Sequence, residues 1–150
     1  MNELLVMAEI AGRRCALRAN DVSSVIDLGT VTPVPEAPSF IIGITALRSQ
    51  TLTVVDCRKA LGFDPPSMST DQRAAVVMMD GHSYALTADA IIDIATSISE
   101  SQDVSGGFGK EWSNAAVGML ETTAGPALLL DISKLLSPEK QAQDDLGAAA

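Results

Sequence analysis

The feature that most constrains this chain is that its pattern occurs twice. Gly12, Ala16, Leu17 and Ala19 recur 69 residues later as Gly81, Ala85, Leu86 and Ala88, and Val22 and Val25 correspond to Ile91 and Ile94. Farther on, Gly43, Asp56, Lys59 and Leu61 recur 75 residues later as Gly118, Asp131, Lys134 and Leu136. Two units are too few for a solenoid. Each unit must therefore build a core of its own or share one with its twin.

The content of one unit follows from apolar periodicity and turn chemistry. Leu4 to Ile10 and Arg14 to Ala19 flank Ala11-Gly12 and read as a β-hairpin. Val22 to Val34 reads as an extended, irregular strand that ends among Pro33, Pro35 and Pro38, which forbid a helix. Phe40 to Leu47 and Leu52 to Val55 are further strands, joined by a polar connection that contains Arg48, Ser49 and Gln50. Asp56 to Leu61 reads as a capped helical turn stopped by Gly62. The second unit repeats the order. Ala74 to Met79 and Tyr84 to Ala88 surround Asp80-Gly81, a strong hairpin turn. Ile91 to Ile98, Val117 to Leu120, Ala127 to Leu130 and a short helix over Asp131 to Leu136 follow.

Five short strands in roughly 65 residues must curl onto themselves to bury a core and hide their edges. The expected class is all-β: two small five-stranded β-barrel subdomains packed together, each followed by a short helical turn. The expected boundaries are 1–64 for the first barrel, 65–72 for a linker within the Pro-containing Phe63–Asp71 stretch, 73–137 for the second barrel, and 138–150 for a polar and alanine-rich tail.

Composition excludes several functions. The formal charge is −9, with 19 acids against 10 bases. That balance argues against nucleic acid, whose affinity comes from clustered bases, and against an anionic membrane surface. Only 3% of residues are aromatic, too few for a stacking platform. No run approaches a membrane span and no export signal is present, so a cytoplasmic protein without membrane insertion is expected. Cys15 and Cys57 lie in apolar runs and read as buried free thiols.

No catalytic or cofactor-binding constellation is present. His82 is the only histidine and sits beside the Asp80-Gly81 turn. No nucleophile elbow, Walker loop or dinucleotide fingerprint occurs, and no ligand set has metal-binding spacing. Gly106-Gly107-Phe108-Gly109 lacks the lysine a phosphate loop needs and reads as a loop. Trp112 reads as a packing residue or a partner anchor. A non-enzymatic binding module without cofactor or metal remains.

The repeat also sorts functional residues from structural ones. Asp56 and Asp131 occur in both units and read as helix caps. Arg48 occurs once; 75 residues later stands Thr123. Its guanidinium offers a planar fork of donors for carboxylates or carbonyls of a partner.

Three stretches carry a family resemblance. They are Pro35-Glu36-Ala37-Pro38-Ser39-Phe40-Ile41-Ile42-Gly43-Ile44, then Leu47-Arg48, then Leu52-Thr53-Val54-Val55-Asp56-Cys57-Arg58-Lys59-Ala60-Leu61-Gly62. Together they resemble the central signature of CheW-like proteins, and Leu129 to Leu136 resembles the family's closing segment. The resemblance covers about residues 3 to 137. It implies two intertwined five-stranded barrels in a scaffold that couples the cytoplasmic tip of chemoreceptors to a CheA-like histidine kinase within cytoplasmic receptor arrays. It places the family's Asn-Leu-Arg-Gly arginine on Arg48, and the partner-binding surface on Arg48 with Leu47, Ser49, Gly43 and Val25. The motif here is Ala46-Leu47-Arg48-Ser49, without the Asn or the Gly, and Val22-Ser23-Ser24-Val25 lacks the family's acidic residue. These departures leave three alternatives: a divergent regulator of a non-flagellar pathway, a competitor that binds the kinase but not receptors, or a sensor that binds a small ligand in the inter-barrel groove near Cys57, Met78 or Met79.

Overall fold

The computed structural model describes residues 3–63, 72–99, 112 and 115–136. Ten strands and two short helices account for most of them. The first hairpin is β1 (Leu4–Ile10) and β2 (Arg13–Arg18). A 3-10 turn (Ala19–Asp21) leads into β3 (Val22–Asp27). The second hairpin, β4 (Ile41–Leu47) and β5 (Gln50–Asp56), runs into α1 (Cys57–Ala60). The order then repeats as β6 (Arg73–Met79), β7 (His82–Thr87), β8 (Ala90–Thr96), β9 (Ala116–Thr122), β10 (Gly125–Leu130) and α2 (Ile132–Leu135).

Local chemistry explains these boundaries. Ala11-Gly12 and Asp80-Gly81 both hold positive φ at their two central residues, as a two-residue hairpin turn requires. Asp56 accepts from the backbone amides of Arg58 (3.0 Å) and Lys59 (3.3 Å), which caps α1. Asp131 does the same for Ser133 (2.9 Å) and Lys134 (3.4 Å) at α2. Both aspartates are therefore caps, as their recurrence predicts. Gly62, at φ 96°, ends the first helical turn.

The two five-stranded sheets do not coincide with the two halves of the sequence. One has the order β8-β1-β2-β10-β9, the other β3-β6-β7-β5-β4. In both, the first hairpin of one repeat is flanked by the third strand and the second hairpin of the other repeat. The boundary expected between 64 and 73 therefore does not separate the sheets, because β1 and β2 lie with β8 to β10 while β3 to β5 lie with β6 and β7. The repeats are interlaced about an approximate twofold relation. The parallel pairs β2·β10 and β5·β7 join them. Apart from Gln72, the expected linker lies outside the described residues, as does the expected tail.

Each sheet bends until its edges meet. Thr32 pairs with Ile44 across the two edges of the second sheet, and Ser97 pairs with Thr122 across those of the first. This curl yields three cores. Alternate residues on a strand enter different ones. From β1, Val6, Ala8 and Ile10 enter a large central core between the sheets, whereas Leu5 and Met7 fill the curl of the first sheet. From β6, Ala75 and Val77 face the centre while Ala74 and Val76 fill the second curl. Strands buried on both faces read as continuous apolar runs, which is why period-two alternation is weak in this sequence.

Candidate functional site

The connection singled out by the repeat is the tip of the β4–β5 hairpin. Leu47 pairs with Gln50, leaving Arg48 and Ser49 as a two-residue turn. Their φ values are 52° and 70°. Such a turn needs positive φ at both central positions and favours Asn-Gly. Here both positions carry full side chains, each at a cost of roughly 1–2 kcal/mol. Ser49 therefore occupies, with strain, a conformation that glycine would adopt freely. Strain of this kind at an exposed tip is a pointer to function.

Arg48 and Ser49 are both exposed. Among the described residues, none accepts a hydrogen bond or ion pair from the Arg48 guanidinium. Other arginines are engaged: Arg18 pairs with Glu3 (3.0 Å), Arg58 with Asp89 (3.4 Å), and Arg73 donates to the Ile91 carbonyl. Arg48 thus presents its fork of donors to solvent.

The hairpin beneath Arg48 is held from both sides. Leu47 is half-buried and packs with Ile26, Leu28 and Val31 against the inner core of the second sheet. The Thr32 and Ile44 amides donate to each other's carbonyls at 2.8 Å, and Thr45 Oγ1 donates to the Thr30 carbonyl at 2.9 Å. On the β5 side, Gln50 Nε2 donates to Ser83 Oγ at 2.6 Å. Gly43 is buried, and a Cβ there would overlap the carbonyl of Thr32. Its direct role is to let the 28–34 segment close against β4. Val25 is 42% exposed and lies on β3, the opposite edge of the same sheet, brought round by the Thr32–Ile44 bridge. The structure thus gathers Leu47, Arg48 and Ser49 at one tip, with Gly43 as support and Val25 on the facing edge.

Other candidates have structural roles. Trp112 is 4% exposed, stacked at a tilt on Phe63 (5.4 Å between centroids) and covered by Arg13 (5.6 Å). It packs and does not anchor a partner. The glycine-rich loop before it lies outside the described residues. His82 is exposed at its turn. Cys15 and Cys57 are free and buried in the central core. Burial pushes the Cys15 thiol up to about 12, and burial with the neighbouring Asp56 charge pushes Cys57 higher still. Neither is a nucleophile at neutral pH.

Sequence reasoning passed over Asp89. Its Oδ2 accepts from the Ala11 amide at 2.8 Å and from Arg58 at 3.4 Å, pinning the first hairpin turn to α1. Its contacts lie 78 and 31 residues away, and no local pattern announces them.

The space between the sheets is filled by the central core. A concavity of about 280 Å³ lies at their seam, lined by Asp21, Met78, Met79, Asp131, Ile132 and Ser133. Among the described residues, no group of three or more His, Cys, Asp or Glu could hold a metal, and no helix is long and apolar enough to cross a membrane.

Known proteins share this arrangement. The chain is 28% identical to the chemotaxis protein CheW of Thermotoga maritima over 134 residues, covering 85% of this chain and 83% of that one. It is 25% identical to the CheW of Rhizobium meliloti over 114 residues, 73% of this chain and 72% of the relative. It is 27% identical over 81 residues to the protein FrzA of Myxococcus xanthus, 54% of this chain and 51% of that protein. The crystal structure of the scaffolding protein CheW from Thermoanaerobacter tengcongensis superimposes with a TM-score of 0.75 over 88% of this chain and 86% of that one, at 24% identity. The model of the CheW-like domain matches residues 4–140, and the chain belongs to that family.

Proposed function

We propose that this chemotaxis scaffold couples the cytoplasmic tip of chemoreceptors to a CheA-like histidine kinase, with Arg48 at the centre of one contact. The family is one of non-enzymatic scaffolds, and the work of such a protein is done by its surfaces. The observation that carries the reading is an unengaged guanidinium on a strained, exposed two-residue turn whose supporting strands are fixed on both sides. Leu47 and Ser49 flank the contact, Gly43 sets the height of the hairpin, and Val25 extends an apolar margin on the neighbouring edge. Bidentate bonds from Arg48 to a partner carboxylate or to carbonyls at a helix end fit this geometry. Its place of action is the cytoplasmic face of receptor arrays.

Reconstitution tests the reading. The protein, a cognate receptor cytoplasmic fragment and the kinase are mixed, and kinase autophosphorylation is followed. A ternary complex with a change in autophosphorylation is expected. Binding of neither partner overturns it, and binding of the kinase alone identifies a competitor.

A further inference from the structure

The seam concavity has a chemistry that the adaptor reading does not use. Three elements build it, and they come from both sheets. Asp21 ends the 3-10 turn that carries the chain from the first sheet to the second. Met78 and Met79 end β6 of the second sheet. Asp131, Ile132 and Ser133 follow β10 of the first. Met78 leaves 60% of its surface exposed, although the rest of β6 is largely buried. Methionine is unbranched and polarisable, and it moulds to alkyl chains.

The polar part of the lining is acidic. Asp131 is held as a carboxylate, first by the hydrogen bond from the Ser133 hydroxyl (2.6 Å) and then by the amides of Ser133 and Lys134. All three of those contacts fall on Oδ1. Asp21 is exposed. The nearby bases are already engaged: Arg18 pairs with Glu3, and Lys134 has a partner of its own. The lining therefore joins thioether and alkyl surface to carboxylates, with no basic residue in it.

Lysine and arginine combine an alkyl stem with a cationic head and match both halves of such a surface. We propose that this seam is a docking point for a segment of a protein partner that inserts a lysine or arginine side chain, its stem on Met78 and Met79 and its head toward Asp21 and Asp131. The inference rests on the adaptor reading only in taking the occupant to be part of a protein. It uses neither Arg48 nor any property of the kinase or the receptor.

The test uses the full chain with 13C-methyl methionine. N-acetyl-arginine amide and N-acetyl-lysine amide are titrated while the Met78 and Met79 methyl signals are followed. N-acetyl-citrulline amide, a neutral isostere of arginine, is the control. Both cations are expected to shift the two methyl signals saturably, and citrulline to leave them in place. Asp21→Asn is expected to weaken the response about two- to fivefold, the size of an exposed ion pair. Asp21 is chosen because Asp131 caps α2. Equal shifts with citrulline would show an apolar site indifferent to charge and overturn the proposal. So would the absence of any shift up to the solubility limit of the amides, or an unchanged response in Asp21→Asn. Because no kinase or receptor is present, failure here is distinguishable from failure of the coupling role.

Discussion

The tips of the β4–β5 and β9–β10 hairpins occupy equivalent places in the two interlaced repeats, yet they are built in opposite ways. In the second repeat, Gly125 takes the positive φ (107°) and relieves strain. That tip is bound to the rest of the molecule. Arg14 donates to the Ala124 carbonyl, the Thr123 amide donates to the Thr96 carbonyl at 2.9 Å, and Thr122 Oγ1 donates to the Gly125 carbonyl at 2.6 Å. In the first repeat, Arg48 and Ser49 carry the positive φ themselves, and Arg48 contacts no described acceptor. One tip is spent on the fold; the other keeps its polar groups for a partner. When a fold uses the same element twice, the copy that fails to satisfy itself is where an interaction belongs.

This contrast can be broken by substitution. The largest effect is expected from Arg48→Glu, which reverses the charge at the contact. It should weaken partner binding by about 2 kcal/mol or more, roughly thirtyfold, as measured by calorimetry against the receptor and kinase fragments. Gly43→Ala should come next. Its Cβ must displace the Thr32 carbonyl, and overpacking of this kind costs about 1–3 kcal/mol in a urea melt. Arg14→Ala removes one hydrogen bond from the second tip and should lower stability by about 1 kcal/mol without touching affinity. The smallest effect is Ser49→Gly. Relief of positive φ, set against the added freedom of the unfolded chain, should raise stability by about 0.5 kcal/mol. A loss of stability instead would show that Ser49 makes a contact that outweighs its strain.

Much of the fold was legible from local chemistry. Asp56 and Asp131 were readable as caps because a carboxylate before a helical turn, present twice, has one economical use. Ala11-Gly12 and Asp80-Gly81 were readable as hairpin turns because few dipeptides tolerate two positive φ values. The interlacing was not legible from spacing. Period-two patterning says which faces of β3 and β8 are buried, but not which hairpin lies beside them, and strands buried on both faces erase even part of that pattern. The resemblance, rather than the periodicity, carried the expectation of intertwined units. Within the site, Arg48 stood out because it breaks the repeat. The structural role of Gly43 did not, because the carbonyl it accommodates belongs to Thr32, in the proline-bounded irregular segment. Trp112 read ambiguously because an aromatic near glycines has no periodic context; Phe63 and Arg13, distant in sequence, decide its burial.

The most direct test of the difference between the tips is a paired measurement on Arg48→Ala and Arg14→Ala, each assayed for partner affinity and for thermal midpoint. The structure predicts a crossed result: Arg48→Ala loses at least tenfold in affinity, about 1.4 kcal/mol, with its midpoint unchanged, whereas Arg14→Ala lowers the midpoint and binds as the parent does. If Arg48→Ala instead lowers the midpoint and leaves affinity intact, Arg48 belongs to the fold and the assignment of this tip as the partner contact is wrong.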